Sequence, residues 1–126
     1  MADIVHRVQM RAAQEDVFAA LAAKALRARN GLAELRLDTV TATMKVAQFE
    51  EGTCVVWQCV DGPPDWIGTD IAFDLASEGD QTIVRFRHRN WRETTDFMGH
   101  CSTKWAFLLF DLKSRVETPE PDDLYV

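Results

Sequence analysis

Two histidines and two cysteines are predicted to face the interior of this chain, where they could do chemistry. Alternating apolar residues in the segments 3–10 and 82–90 place His6 and His88 on the inner sides of two strands. An inward imidazole could bind the polar end of a ligand or transfer a proton, although a buried histidine bonded to a neighbour is the commoner case. Cys59 and Cys101 also fall on apolar faces, without a basic sequence neighbour that would favour a thiolate. We therefore expect structural cysteines and regard His88 as the best candidate for a polar catalytic or binding group.

Motifs for metal, cofactor or nucleophilic chemistry are missing from the sequence. A metal site built from His6, His88 and Cys101 would lack any recognisable ligand spacing. We find no Ser-His-Asp order, no paired carboxylates and no Gly-rich phosphate loop. The expectation is therefore no bound metal and no cofactor.

Large apolar side chains share the inward faces and suggest binding of an apolar molecule. Aromatic and thioether walls suit a flat or acyl ligand, since burial of apolar area contributes about 25 cal/mol per Å². The same side chains could simply fill the core, and for any one of them this alternative has equal weight. The predicted ligand-binding set is Trp57, Cys59, Phe73, Phe86, His88, Phe97, Met98, Cys101 and Trp105.

Four further aromatic residues lie at positions that could face outward. Trp66 and Trp91 stand at strand ends beside loops, where they could frame the mouth of a cavity or fasten the loops to the core. Phe107 and Phe110 lie on the far side of a helix from its apolar stripe. They predict a protein contact, most simply a homodimer, unless N-terminal helices cover them.

A long C-terminal helix must position much of this set. At about 100° per residue, one apolar stripe runs through the segment 91–116, and a helix with such a stripe must cover a large apolar surface. Strands are predicted before it at 3–10, 39–49, 53–60, 67–75 and 82–90, with a helix at 14–26 and a short helical turn through Leu32 and Leu35. The stripe comprises Phe97, Met98, Cys101, Trp105, Leu108, Leu109, Leu112 and Val116.

Two turn dipeptides predict the register of an antiparallel sheet. With Gly79-Asp80 as a two-residue loop, Phe73 lies opposite Phe86 and Ile71 opposite His88. With Glu51-Gly52 as the loop, Met44 lies opposite Cys59 and Val46 opposite Trp57. Both hairpins give an apolar inner face and a polar outer face, and a slip of one residue would destroy both.

Composition limits the classes of function. The 126 residues suit one domain, predicted at 1–117, followed by an acidic extended tail at 118–126. A net charge of −6 argues against nucleic acid, and no apolar run approaches the roughly 20 residues of a membrane span. The N-terminus lacks the pattern of a secretory signal, and three cysteines without metal spacing indicate reduced thiols, so a cytoplasmic protein is expected.

Three stretches of the sequence carry a resemblance to a known superfamily. Residues 55–69, 86–91 and 96–105 are similar to bacterial proteins grouped with activators of the ninety-kilodalton heat-shock-protein ATPase, within the START and birch-pollen-allergen (SRPBCC) superfamily. The resemblance implies an α+β helix-grip fold. In that fold a curved antiparallel sheet carries a long C-terminal helix across its concave face, with two short N-terminal helices and a cavity between helix and sheet.

Two departures from the family pattern affect the cavity. Family members usually carry a Trp-Trp pair after a Gly-Leu, whereas Gly31-Leu32-Ala33 is followed here by Glu34-Leu35. The segment from Arg36 to Thr43 is short for the usual first hairpin. One or two strands could therefore be missing or merged, and the sequence leaves open whether the cavity is fully walled in the monomer.

Three functions follow as hypotheses. The first is non-catalytic binding of a small apolar or amphipathic ligand between the sheet and the C-terminal helix. The second is a protein-interaction module, co-chaperone-like in the sense that the resemblance implies. The third is an enzyme acting on a hydrophobic substrate, with His88 as its polar group.

Overall fold

The computed structural model describes residues 2–25 and 32–117, and the predicted acidic tail at 118–126 lies outside them. One antiparallel sheet has the strand order β1-β6-β5-β4-β3-β2, so that β1 and β2 are its edges. Both edge strands contact the long helix, because the sheet curves around it. This arrangement confirms the α+β helix-grip fold. The elements are β1 (Ala2–Met10), α1 (Gln14–Ala25), β2 (Leu32–Leu37), β3 (Val40–Glu50), β4 (Cys54–Asp61), β5 (Asp70–Glu78), β6 (Gln81–Trp91) and α2 (Asp96–Glu117).

The predicted second N-terminal helix is wrong, because Leu32–Leu37 is strand β2. Ala33, Leu35 and Leu37 are buried, and the residues between them are exposed. In so short a segment the apolar residues fit a helical turn and a strand equally well. The segment forms a strand because its backbone pairs with β3.

The loss or merging of strands near Arg36, which the sequence left open, does not occur, because β2 and β3 are both present there. Leu37 pairs with Val40 across a two-residue turn, and Arg36 pairs with Thr41. Asp38 holds the turn with a φ of 55°, a left-handed conformation that aspartate tolerates better than most residues. The segment seemed too short for a hairpin because the turn is this tight.

The β3–β4 hairpin has the predicted register at its middle, although its loop differs from the prediction. Its loop has three residues, since Glu50 pairs with Cys54, and Gly52 supplies a φ of 80°. A bulge between Val46 and Gln48 then shifts the pairing by one residue, so that Val46 lies opposite Trp57 as predicted. The inner and outer faces are therefore as expected, although the two-residue loop is not.

The β5–β6 hairpin has the predicted register throughout. Phe73 pairs with Phe86, and Ile71 pairs with His88. Strand β5 begins at Asp70 rather than at the predicted residue 67. This hairpin places the aromatic rings and His88 on the inner face.

Helix α2 covers that inner face with the stripe predicted from its sequence. The Thr95 hydroxyl accepts a 3.2 Å hydrogen bond from the backbone N–H of Met98 and caps the start of the helix. Near the other end, Lys113 donates a 2.9 Å bond to the carbonyl of Gln9 in β1. No described helix is long and apolar enough to cross a membrane. The buried residues of α2 are Met98, Cys101, Trp105, Leu109 and Leu112.

Candidate functional site

An aromatic cluster fills the space between the sheet and the first half of α2. Trp66 and Trp105 stack with ring centroids 5.9 Å apart, and Phe86 lies 4.6 Å from Trp105. His88 lies edge-on to Trp66 at 4.7 Å and to Trp91 at 4.8 Å. All five side chains are fully buried. This part of the interior is packed solid.

The cavity mouth predicted at Trp66 and Trp91 is not found there. The loop between β4 and β5 turns back through a 2.9 Å bond from the Trp66 N–H to the carbonyl of Pro63, which directs the indole inward. Trp91 closes the same cluster and contacts the half-buried Phe97 at 6.0 Å. Both tryptophans therefore fasten the strand ends to the core, which is the alternative that the sequence left open.

His88 takes part in a fully paired chain of buried hydrogen bonds. Trp105 Nε1 donates to His88 Nδ1 at 3.1 Å, and because an indole nitrogen can only donate, the imidazole proton must be on Nε2. Nε2 then donates to Thr69 Oγ1 at 2.8 Å, and that hydroxyl donates to the Trp66 carbonyl at 2.6 Å. Burial lowers the pKa of His88 from its ordinary 6.5 to about 3. His88 is thus a neutral anchor between β6, α2 and the β4–β5 loop.

The second inward histidine and the cysteines are also held in the interior. His6 Nε2 donates to the carbonyl of Ser102 at 3.0 Å and so ties β1 to α2. Burial raises the pKa of the Cys59 and Cys101 thiols, and it raises that of Cys54 to about 11, helped by a hydrogen bond to Asp74. The cysteines are thus buried protonated thiols. The described residues include no cluster of three His, Cys, Asp or Glu that could hold a metal.

A pocket of about 210 Å³ opens at the other end of the aromatic cluster, between β2 and the middle of α2. Three of the predicted ligand-binding residues, Trp57, Phe73 and Trp105, form its inner wall. The exposed residues Glu34 and Arg36 of β2 stand at its rim. The remaining described wall residues are leucines from α1, β2 and α2: Leu21, Leu35, Leu108 and Leu112.

Sequence reasoning missed this location because it read β2 as a helix. Leu35 and the rim residues therefore had no expected place beside the sheet. Leu108 and Leu112 were on the predicted stripe of α2, and that signal could have identified them. The predicted residues that do not line this pocket are Cys59, Phe86, His88, Phe97, Met98 and Cys101. Of these, five are buried and Phe97 is half-buried.

Among the described residues, the pocket lining offers no group suited to acid–base or nucleophilic chemistry in its interior. Its two ionisable residues, Glu34 and Arg36, are exposed at the rim, and His88 is not part of the described wall. An enzyme that uses His88 at neutral pH would need an imidazole able to take up a proton, whereas burial holds this one neutral. His88, buried and neutral away from the described pocket wall, thus gives the enzyme hypothesis no support.

The tip of the β2–β3 hairpin is fastened to α2 beside the pocket. Asp38 lies 3.6 Å from Lys104 Nζ and 3.9 Å from His100 Nε2. Lys104 also lies over the ring of Phe107, 5.6 Å from its centroid. Phe107 and Phe110 are 60% and 57% exposed, so the described N-terminal helix does not cover them.

Comparison with solved structures identifies the family. The solution structure of the Aha1 dimer from Colwellia psychrerythraea is 35% identical in sequence, with a TM-score of 0.79, over 94% of this chain and 98% of that one. The chain belongs to the Aha1-like family of the SRPBCC superfamily. This confirms the resemblance carried by the three sequence stretches. No protein-family model and no curated protein matches the chain.

More distant structures share the fold alone. A Mesorhizobium loti protein is 15% identical, with a TM-score of 0.76, over 94% of this chain and 99% of that one. CalU16 from Micromonospora echinospora is 16% identical, with a TM-score of 0.73, over 98% of this chain and 80% of that one. At this level of identity they show the fold and carry no role over to this chain.

Proposed function

We propose that this protein binds a small apolar or amphipathic molecule in the pocket between β2 and α2, without chemistry of its own. One observation carries the proposal: Trp57, Phe73 and Trp105 face a hollow of about 210 Å³, while the aromatic cluster around His88 is packed solid. Concave apolar sites with a few polar groups are the usual form of small-molecule sites. The rim residues Glu34 and Arg36 suit a ligand with one polar end.

The volume of the pocket limits the size of the ligand. An engineered protein cavity of about 150 Å³ stays dry and binds benzene, whereas pockets for drug-sized ligands span about 300–1,000 Å³. The present pocket lies between these values. A ligand of one or two rings, or a short acyl chain, therefore fits best.

Filling the pocket is expected to abolish binding. The Leu108→Trp variant puts an indole into the space beside Trp105, because Leu108 lines the pocket from the half-buried side of α2. Butylbenzene is a suitable probe, followed by saturation-transfer NMR. We expect binding by the unmodified protein and at least a tenfold weaker affinity in the variant.

The matched control is Phe110→Trp, which adds the same ring on the exposed side of the same helix. It should bind the probe as the unmodified protein does. If the unmodified protein gives no saturation transfer with butylbenzene, and no small molecule accompanies it in native mass spectrometry, the proposed function is wrong.

Self-association is a second candidate function, the simplest form of a protein-interaction module. Phe107 and Phe110 lie one turn apart and expose most of their surface on the outer side of α2. Exposed aromatic patches of this kind mark protein contacts. The Aha1 relative that is 35% identical forms a dimer, which supports the same state here.

Acidic substitutions on this face are expected to shift a dimer to the monomer. Phe107→Asp combined with Phe110→Asp removes two aromatic contacts and places two negative charges against two more across a symmetric interface. Sedimentation velocity at micromolar concentration measures the change. Val5→Asp is the control, because Val5 is 61% exposed on the outer face of β1, which points away from α2, and its replacement should leave the sedimentation coefficient unchanged. A monomeric unmodified protein would refute the homodimer.

The thiols support a cytoplasmic location as part of this proposal. Cys54, Cys59 and Cys101 are buried and form no disulfide. Reduced cysteines are typical of proteins that work in the reducing cytoplasm.

A further inference from the structure

We propose that two copies of this chain join along the free edge of β2, antiparallel about a two-fold axis at Leu35, so that Glu34 of one copy faces Arg36 of the other. The partner is thus a second copy of the chain, and it binds the backbone of β2 as well as its side chains. This inference rests on the proposed self-association and makes its geometry specific.

Every second residue of β2 directs its backbone N–H and C=O away from the sheet. Leu37 and Val40 flank a two-residue turn and are therefore a hydrogen-bonded pair, and no bulge interrupts the strand. The backbone groups of Leu35 thus point to β3, whereas those of Glu34 and Arg36 point outward. Among the described residues no hydrogen bond reaches these outward groups. They form a row of free donors and acceptors that can pair with another strand.

The opposite edge of the sheet is covered in a way that β2 is not. By the same alternation the carbonyl of Gln9 points outward from β1, and Lys113 of α2 donates a 2.9 Å bond to it. The backbone N–H of Arg11, just beyond β1, donates to the Glu117 carboxylate at 2.7 Å. Proteins usually protect an edge strand by covering it, by a proline or by a bulge. The six residues of β2 include no proline and no bulge, and they form no such bond within the described part of the chain.

The side chains beside this edge carry charges that lack a partner. Glu34 and Arg36 are exposed on the outer face of β2, and neither belongs to an ion pair between described residues. Their neighbours across the ladder, Thr43 and Thr41 of β3, are neutral. The edge therefore presents one negative and one positive side chain that are both available to a second strand.

A two-fold axis requires β2 to be complementary to itself, and the charges select one register. With the axis at Leu35, Glu34 lies opposite Arg36 on both sides of the axis, and each pair exchanges two backbone hydrogen bonds. With the axis at Glu34 or at Arg36, like charges lie directly opposite each other, which is unfavourable. An axis between two residues would set the outward backbone groups of one copy against the inward groups of the other.

The exposed aromatic side chains of α2 are continuous with this edge. Arg36 and Phe107 line one hollow of about 330 Å³ beside β2. A strand of six residues is too small to hold a stable dimer alone, because specific interfaces usually bury more than about 1,000 Å². The exposed rings of Phe107 and Phe110 add the apolar area. Glu34 and Arg36 also stand at the rim of the ligand pocket, so the second copy becomes part of that rim.

Charge reversal tests the register by sedimentation velocity. Glu34→Arg and Arg36→Glu each set like charges opposite one another in a symmetric dimer, so we expect each variant alone to dimerise at least tenfold more weakly than the unmodified protein. An equimolar mixture of the two should dimerise as the unmodified protein does, because every facing pair then has opposite charges. Arg87→Glu is the control, since it reverses an exposed charge on β6, which three strands separate from β2.

Hydrogen exchange of the unmodified protein gives a readout that needs no charge variant. The amide protons of Glu34 and Arg36 should exchange at least tenfold more slowly in the dimer than in the monomer obtained by dilution. The amide of Arg7 also points outward, but from β1, and its exchange should not depend on concentration.

The outcomes separate this inference from self-association itself. If the unmodified protein is a dimer, but the charge variants dimerise equally well and the amides of β2 exchange fast, the inference is overturned and self-association through another surface stands. A mixture of the two single variants that stays monomeric overturns the register at Leu35. If the unmodified protein is a monomer, self-association fails, the inference fails with it, and the edge of β2 is left free for a strand of another protein.

Discussion

Replacing Trp105 by alanine is expected to lower the free energy of unfolding by about 3–5 kcal/mol. Trp105 is fully buried at the centre of the aromatic cluster and contacts Trp66, Phe86 and His88. Its removal leaves a cavity next to the existing pocket and takes away the donor that pairs with His88 Nδ1. The loss is a large fraction of the 5–15 kcal/mol that typically stabilises a domain.

A milder substitution separates the two parts of this effect. Trp105→Phe keeps an aromatic ring in the cluster but removes the N–H, and we expect it to cost about 1–3 kcal/mol because His88 Nδ1 is then buried without a partner. Val5→Ala is the control, since it shortens a side chain that is 61% exposed and lies outside the proposed dimer contact, and it should change stability by no more than about 0.5 kcal/mol.

Urea unfolding followed by far-UV circular dichroism measures all three variants. The tryptophan fluorescence is not a suitable signal, because Trp105 itself is removed. If Trp105→Ala unfolds at the same urea concentration as the unmodified protein, Trp105 does not hold α2 on the sheet and the packing described above is wrong.

Much of the fold could be predicted, because the spacing of apolar residues and their alternation between the two faces of a strand leave few possible arrangements. The Gly79-Asp80 turn fixes which residues of β5 and β6 pair, and any one-residue slip would expose Phe86 and bury Arg85. The stripe of α2 was equally clear, because a 22-residue helix provides several turns over which the period is visible.

The β3–β4 hairpin shows a limit of the same reasoning. The predicted pairing of Val46 with Trp57 is correct, yet the loop has one residue more than predicted and a bulge compensates for it. The pairing at the middle of a hairpin depends on the loop length and on any bulges together. The pattern of inward and outward residues therefore cannot tell a two-residue loop without a bulge from a three-residue loop with one. Position 47 has no sequence feature that marks a bulge.

The candidate site was predicted less well than the fold, for two physical reasons. Strand β2 has six residues, too few for period 2 to be distinguished from period 3.6, and it forms one wall of the pocket. An inward pattern also cannot tell an aromatic side chain that fills the core from one that borders a cavity, since the difference is a matter of a few ångströms in packing. Trp57 borders the hollow and Phe86 does not, although both were predicted to line it.

Acidification from pH 6.5 to pH 4.5 is expected to destabilise the protein through His88. In the unfolded chain the imidazole has its ordinary pKa of 6.5, whereas burial lowers the folded-state pKa to about 3. Between these values the unfolded state binds one proton more than the folded state, so stability falls as the pH falls. The contribution of His88 is fully present above pH 6.5 and decreases by about 1.4 kcal/mol per pH unit below it. Over this interval the loss is about 2.5 kcal/mol.

Between pH 6.5 and pH 4.5 the loss of stability due to His88 can be distinguished from that due to most carboxylates, because carboxylates take up protons at lower pH. Hydrogen bonds from Lys113 and from the backbone of Arg11 lower the pKa of Glu117, so that its contribution is lost below pH 4.5 rather than above it. The immediate neighbours of His88 are the rings of Trp66, Trp91 and Trp105 and the hydroxyl of Thr69, none of which carries a charge. Desolvation is therefore the physical cause of the acid sensitivity.

The role of His88 is tested by how steeply the free energy of unfolding changes with pH, rather than by its value at one pH. His88→Asn cannot take up the proton, and its amide still offers an oxygen to Trp105 and a donor to Thr69, so the variant should be less stable at pH 7 but less sensitive to acid between pH 6.5 and pH 4.5. His100→Gln is the control, because it removes a histidine with a half-exposed side chain and keeps His88 with the slope that His88 causes. Equal slopes for His88→Asn and the unmodified protein would mean that the imidazole is accessible to protons in the folded state. The closed surroundings and the paired imidazole described for His88 would then be incorrect, and with them the separation between a solid aromatic cluster and an open pocket.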